Sequence, residues 1–238
     1  FQLMALVKAR SSQPALQSLR QVLVLADQSK NASQPAITSL AGFGKSLMRE
    51  QPGFKLSVLS LSAETDWQAA IAQEIAADLP AAEVQIAGLQ REVKSYAAVG
   101  TDQLSALPEG QLYLVTGGNG SLGFQFAQHL IKRFRSRIVL TGRRPAGALL
   151  QSQLDNLRSQ GAEISYLPCD ISQRAAVEAL LQDIAARHGA LQGSFHFAGT
   201  LQDGLLQSKT AKEASKVLAP KVSGTKLLDE CSRPLPLA

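Results

Sequence analysis

The sequence predicts an α/β fold in two units, each alternating short apolar strands with amphipathic helices. Three observations carry that expectation. Short apolar runs recur along both halves, and between them apolar residues fall three or four apart, the helical period. One run, Leu112-Tyr113-Leu114-Val115, breaks at Thr116 into glycines, and a helical pattern starts at once. The composition, 45% hydrophobic and 18% charged, excludes a disordered or fibrous chain, and 238 residues are enough for one large core or two smaller ones.

In chain order, Leu3, Met4, Leu6 and Val7 place the opening residues inside an apolar helical pattern. Gln21–Asp27 (QVLVLAD) reads as a buried strand. A helix is expected around Ile37–Arg49, a strand over Phe54–Leu61, and a helix over Asp66–Leu79 with Trp67, Ala70, Ile71 and Ile75 on one face. A short strand is expected near Glu83–Ile86, and Arg91–Ala98 reads as extended chain or loop. This β-α-β-α order describes a Rossmann-like unit. Yet the loop after its first strand, Asp27-Gln28-Ser29-Lys30-Asn31, holds no glycine, so its backbone cannot come close to a pyrophosphate. The first unit, residues 1–108, is therefore read as a truncated structural subdomain that binds no nucleotide. The loop Asp102–Gly110, with Pro108 and Gly110, is its expected boundary.

The second unit, residues 109–238, opens on the strand at Leu112. Gly118, Gly120 and Gly123 then stand in G-x-G-x-x-G spacing, and Phe126, Ala127, Leu130, Ile131 and Phe134 share one helix face. Strand, glycine turn and helix together are the context that a dinucleotide-binding fingerprint requires. Such a turn brings the backbone against a pyrophosphate, which sits on the unpaired N–H groups and positive dipole end of the helix. The next strand, Arg137–Leu140, ends in Thr141-Gly142-Arg143-Arg144. An NAD site places a carboxylate on the ribose 2′-hydroxyl about 20 residues past the glycines. Two arginines stand there instead, and a guanidinium pairs bidentately with phosphate, so this turn predicts NADP.

A helix over Leu149–Gln160 closes at Gly161, and a strand over Glu163–Cys169 ends in Asp170-Ile171-Ser172. Asp170 reads either as an acceptor for the adenine amine, with Ile171 over the ring, or as a cap for the next helix, and both roles are compatible. That helix covers about Arg174–Arg187. A fourth strand, Leu191–Phe197, closes on His196-Phe197-Ala198-Gly199, where small residues let a ribose and nicotinamide pass close to the backbone. His196 has no carboxylate or metal-ligating neighbour in sequence and is assigned a positioning role. The loop after it carries Leu201-Gln202-Asp203, and a last helix is expected to open near Pro220, a residue suited to a first turn.

The net charge of +5 is modest and spread along the chain, which argues against nucleic acid as a partner. The densest basic cluster, Lys132, Arg133, Arg135 and Arg137, closes the fingerprint helix, where cations complement the dipole. An acidic protein could also dock there. No apolar run approaches the roughly 20 residues that span a bilayer, so no membrane is expected. Cys169 and Cys231 form neither a disulfide framework nor a metal site, which fits a reducing cytoplasm. Neither Phe1 nor Ala238 reads as a natural terminus, so the sequence is expected to be a piece of a longer polypeptide, its second unit incomplete at the C-terminal side.

These motifs together resemble the ketoreductase domain of modular polyketide synthases, within the short-chain dehydrogenase/reductase superfamily. The matching residues are Thr116-Gly117-Gly118-Asn119-Gly120-Ser121-Leu122-Gly123, Leu140-Thr141-Gly142-Arg143-Arg144, Cys169-Asp170-Ile171, His196-Phe197-Ala198-Gly199 and Pro220-Lys221-Val222-Ser223-Gly224-Thr225. The first half is similar to the family's structural subdomain, with Gly42-Phe43-Gly44-Lys45-Ser46-Leu47 and Glu50-Gln51-Pro52 matching its pattern.

The resemblance implies NADPH-dependent reduction of a β-ketone on an acyl chain, phosphopantetheine-bound to acyl carrier protein, beside neighbouring synthase domains. It implies that Lys221 is the family's lysine, which adjusts a tyrosine's acidity and orients cofactor or substrate. Three departures stand out. The family's serine and tyrosine lie beyond the lysine, and no residue of this sequence matches either. Ser121 replaces the middle glycine of the superfamily's T-G-x-x-x-G-x-G form. Leu201-Gln202-Asp203 stands where one subtype has Leu-Asp-Asp; the final Asp203 favours B-type, D-hydroxy selectivity. Two rival readings are a non-catalytic scaffold domain of a synthase and a free-standing carbonyl reductase. The first half argues against the latter, since ordinary short-chain reductases carry no such unit.

Overall fold

The computed structural model describes residues 2–17, 21–27, 37–77, 81–100 and 106–235. Residues 28–31 of the first loop, residues 102–105 of the expected boundary and the last three residues lie outside these. The chain forms two compact units, one of Phe1–Thr101 with Gly204–Lys209, the other of Asp102–Asp203 with Thr210–Ala238.

The first unit contains α1 (Gln2–Ser12), β1 (Gln21–Asp27), α2 (Leu40–Glu50), β2 (Lys55–Leu61), α3 (Trp67–Ala76), β3 (Glu83–Ala87) and β4 (Gln90–Val93). β1, β2 and β3 pair in parallel, and β4 returns antiparallel on β3. The stretch expected to be extended or loop thus contributes a short edge strand at its start, while residues 94–100 have no regular structure. Six consecutive residues of β2, Leu56–Leu61, are buried, Ser57 and Ser60 among them, because the strand is covered on both faces. Leu56 and Val58 face one core cluster, Leu59 and Leu61 the other. Gly44 seats α2 on this sheet, because a Cβ there would stand 2.7 Å from the Leu56 carbonyl oxygen. The Asp66 carboxylate caps α3 by accepting from the Gln68 and Ala69 amides. On α3, Glu74 is almost fully buried and takes a bidentate pair of bonds from Arg91 at 2.7 and 3.2 Å. Gly204–Lys209 belongs with this unit: Leu206 packs on its core and its N–H donates to Glu50 Oε2 at 2.7 Å.

The second unit contains β5 (Leu112–Thr116), α4 (Ser121–Phe134), β6 (Arg137–Gly142), α5 (Ala148–Ser159), β7 (Ile164–Pro168), α6 (Arg174–His188), β8 (Gly193–His196), α7 (Ala211–Leu218), a π turn (Ala219–Gly224) and α8 (Thr225–Ser232). All four strands are parallel, in the order β7-β6-β5-β8. Alternate residues of β5 and β6 feed two cores, Leu112, Leu114 and Val139 on one face and Tyr113, Val115, Ile138 and Leu140 on the other. Helices cover both faces, as a parallel sheet demands. α5 ends with the Gly161 amide on Arg158 O and the Ala162 amide on Leu157 O, Gly161 taking a φ of +87°.

One expectation needs correction. The last helical segment opens at Ala211, not near Pro220, on a reciprocal capping box between Thr210 and Glu213. Pro220 lies within the run, where the helix widens into the π turn; proline has no N–H to contribute to a tighter turn. Among the described residues no helix is long and apolar enough to cross a membrane, and no cluster of His, Cys, Asp or Glu is arranged to hold a metal ion.

Candidate functional site

The strand order fixes where a ligand can sit. Because β5 is flanked by β6 on one side and β8 on the other, the connections after β5 and β7 leave in opposite directions, and a crevice opens at the carboxyl ends of the strands. A cavity of about 270 Å³ lies there. Every strand of the sheet delivers a turn to it: Gly117, Asn119 and Gly120 after β5, Gly142, Arg143 and Arg144 at β6, Asp170 and Ile171 after β7, Ala198 and Gly199 after β8. A second cavity of about 720 Å³ adjoins it, sharing Asn119, Gly120 and Arg144, and takes in Ser121.

The glycine turn is shaped by backbone contacts that side chains would block. Gly117 has a φ of +67°, and a Cβ on it would stand 2.7 Å from the backbone of Phe197 and Ala198. A Cβ on Gly123 would stand 2.6 Å from the Gly117 carbonyl oxygen, so this glycine lets α4 begin directly behind the turn. Gly120 is the N-cap of α4, and it brings no side chain to satisfy the first amides of that helix. The result is a bare backbone cradle at a positive helix end.

Thr116, Gly118, Leu122, Gly123 and His196 do not line the first cavity. Leu122 is exposed, and Gly118 lies against Leu140. Thr116 is fully buried, and its Oγ1 lies 2.7 Å from His196 Nδ1 while accepting from the Ala198 amide at 3.2 Å. His196 Nε2 lies 3.0 Å from the Pro220 carbonyl oxygen. A carbonyl only accepts, so Nε2 carries the ring proton, and Nδ1 accepts from the Thr116 hydroxyl. The histidine thus ties the end of β5 to the π turn.

Arg143 and Arg144 are exposed, and neither is paired with a carboxylate among the described residues. Asp170 Oδ1 accepts from the Ser172 amide at 3.0 Å and the Ser172 hydroxyl at 2.7 Å, so it organises the turn into α6 while also lining the cavity. Ile171 is almost fully buried, its side chain packed against Gly224. Lys221 leaves the π turn with its Cε 3.7 Å from the point where Gly199 would carry a Cβ. Leu201, Gln202 and Asp203 follow Gly199 in irregular chain outside the cavity wall.

Sequence reasoning gave no site role to three contributors. Lys216 reaches the cavity from α7, and the Thr210-x-x-Glu213 capping box was the signal that would have revealed that helix. Tyr166 of β7 donates from its hydroxyl to the Arg144 carbonyl at 2.5 Å, and burial raises its pKa against the opposing pull of Arg144. Cys169 lines the cavity as a buried thiol; burial first, and Asp170 second, push it up to about 11.

Comparison with known proteins agrees with this architecture. The KR domain family model matches residues 111–238. Polyketide synthase PksN of Bacillus subtilis (strain 168) is 40% identical over 127 residues, 53% of this chain and 2% of that synthase. Polyketide synthase GfsE of Streptomyces halstedii is 33% identical over 211 residues, 85% of this chain and 5% of that synthase. A crystal structure of a ketoreductase domain from the bacillaene assembly line superposes with a TM-score of 0.84 at 29% identity, covering 99% of this chain and 57% of that one. The chain therefore spans a few per cent of the synthases it matches and just over half of the solved domain. With a structural and a catalytic-type subdomain both present, it belongs to the ketoreductase domains of modular polyketide synthases, relatives of the short-chain dehydrogenases/reductases.

Proposed function

We propose that the chain binds NADPH at the carboxyl edge of its second sheet and serves the reduction of a β-keto group, on an acyl chain carried by acyl carrier protein, to a β-hydroxyacyl thioester. The observation that carries this reading is one cavity with a glycine cradle at one wall and two arginines lacking carboxylate partners at another. The cradle fits the cofactor: the positions where side chains would intrude, at Gly117 and Gly123, are bare, and the cavity extends past Arg144 into the adjoining one.

In this reading Gly117–Gly123 hold the pyrophosphate through backbone N–H groups, with Thr116 bracing the turn from below. Arg143 and Arg144 hold the 2′-phosphate. Gly142, Asp170 and Ile171 border the adenine side, and Ala198 and Gly199 leave room for the nicotinamide ribose. When bound, NADPH supplies the hydride. Lys221 is the cation beside the reacting end. A cation near a phenol favours the phenolate and so lowers its pKa, which is what the family's lysine does for its tyrosine. No residue of this sequence matches that tyrosine or the family serine, so the chain's own residues account for binding and orientation and not for the proton. Leu201, Gln202 and Asp203 are assigned to control of the stereochemical outcome.

The test is a fluorescence titration of the chain with NADPH and NADH. Tighter binding of NADPH, lost in the variant carrying Arg143→Ala and Arg144→Ala, supports the reading. Equal or absent binding of the two cofactors refutes it and leaves a synthase domain that acts as a scaffold.

A further inference from the structure

The turn that carries the two arginines is held from outside itself. Tyr166 stands on β7 opposite Leu140 of β6, two residues before Gly142. Its hydroxyl donates to the Arg144 carbonyl, just past the end of β6, at 2.5 Å. The absent side chain of Gly142 makes room for this: a Cβ there would stand 2.9 Å from the Tyr166 hydroxyl oxygen and 2.5 Å from Asn119 Oδ1. Asn119 of the glycine turn and Tyr166 of the third strand therefore both approach the space a Gly142 side chain would fill, and the carbonyl that Tyr166 holds belongs to Arg144. That residue is restrained a second time, since Pro145 follows it and bars the helical region of backbone space. Arg144 lines both cavities, at their junction.

We propose that Tyr166 is a positioning residue for cofactor discrimination, fixing the Arg143–Arg144 turn so that both guanidinium groups leave from a backbone already set for the 2′-phosphate. The inference rests on the NADPH reading above and adds to it the device that makes the arginine pair selective. Arginine side chains are long and lose much freedom when they close on a phosphate. A turn free to rock adds its own ordering cost to that loss, whereas a turn pinned at one carbonyl does not. The tie acts only through the arginines, so its removal weakens ligands that carry a 2′-phosphate and spares those that do not.

The experiment compares Tyr166→Phe with the wild-type chain by calorimetric titration of four probes: NADPH, NADH, adenosine 2′,5′-bisphosphate and AMP. Phenylalanine keeps the ring and removes only the donor, and a thermal melt checks the fold. The expected result is a loss of about three- to tenfold for NADPH and the bisphosphate, the worth of one hydrogen bond, with NADH and AMP unchanged within about twofold. Equal weakening of all four probes, or of none, overturns the proposal. If the wild-type chain itself fails to prefer the 2′-phosphate probes, the NADPH reading has failed. If it prefers them and loses that preference only when Arg143 and Arg144 are changed, the NADPH reading stands and Tyr166 has no part in it. Should Tyr166→Phe not melt cooperatively, Tyr166→Leu makes the same test, because it too removes the donor while leaving Gly142 and the glycine turn untouched; the same selective loss is expected, and an unselective one overturns the proposal.

Discussion

Replacing His196 with alanine severs the tie between β5 and the π turn, and its cost follows from the partners left behind. The Thr116 hydroxyl, 2.7 Å from Nδ1, is fully buried and loses its acceptor. A buried polar group left unsatisfied costs about 1–3 kcal/mol. The Pro220 carbonyl, 3.0 Å from Nε2, is half-buried, so water replaces part of that bond and the loss is about 0.5–1 kcal/mol. The expected sum is about 1.5–4 kcal/mol. Urea unfolding followed by circular dichroism reads it as a midpoint lowered by roughly 1–2 M, with the slope unchanged. A double-mutant cycle with Thr116→Val isolates the pair. That valine orphans the Ala198 amide, which donates to Thr116 at 3.2 Å, so it is destabilising alone. Yet the two changes together should cost about 1 kcal/mol less than their sum, because the orphaned hydroxyl is gone. A His196→Ala loss below about 1 kcal/mol, or additive costs in the cycle, would refute the assigned donor and acceptor roles.

Gly117→Ala places a methyl 2.7 Å from the Phe197–Ala198 backbone at a φ of +67°; a loss of about 2–4 kcal/mol by urea unfolding and at least tenfold weaker NADPH binding are expected. Gly42→Ala is its counterpart: the glycine is in a helix with nothing within 4 Å of the added Cβ, and the same assay should show a gain of about 0.5–1 kcal/mol. The Cys169 thiol, pushed up to about 11 from an ordinary 9.0, should resist iodoacetamide at pH 8, with mass mapping finding the label on half-buried Cys231 instead. Its folded-state pKa is raised, so the stability it contributes is complete below pH 9.0 and is lost as pH climbs through about 11; unfolding midpoints that fall by that route should fall less in Cys169→Ala. Lys221→Ala should lower the rate of ketone reduction by about 10²–10⁴-fold in a synthase polypeptide carrying this chain, while NADPH affinity changes little; unchanged turnover would remove Lys221 from the site.

How far the sequence discloses this molecule depends on the range of the interaction. The strands of the second sheet were legible because strands covered on both faces leave continuous apolar runs, as Leu112–Val115 and Ile138–Leu140 do. The glycine turn was legible because its constraint is local: Gly117 needs its φ, and Gly123 needs its clearance from a residue six positions back. α7 was missed because it is only eight residues long and buries none of them, so its apolar face is too brief to stand out; its cap is the clearer signal. Pro220 misled because proline favours first turns, and nothing local distinguishes a first turn from a π turn inside a continuous run. The ties that shape the cavity have no local signature. His196 meets Thr116 from 80 residues away, and Tyr166 meets Arg144 from 22, each through strand register that the chain sets only when the whole sheet assembles. A histidine at a strand end reads from sequence as packing or as catalysis. The sheet gives it a third role, since its two ring nitrogens face opposite elements and each has one partner that satisfies it. The residues that contact a cofactor can therefore be matched by motif, but the residues that hold those contacts in place become visible only in the folded register.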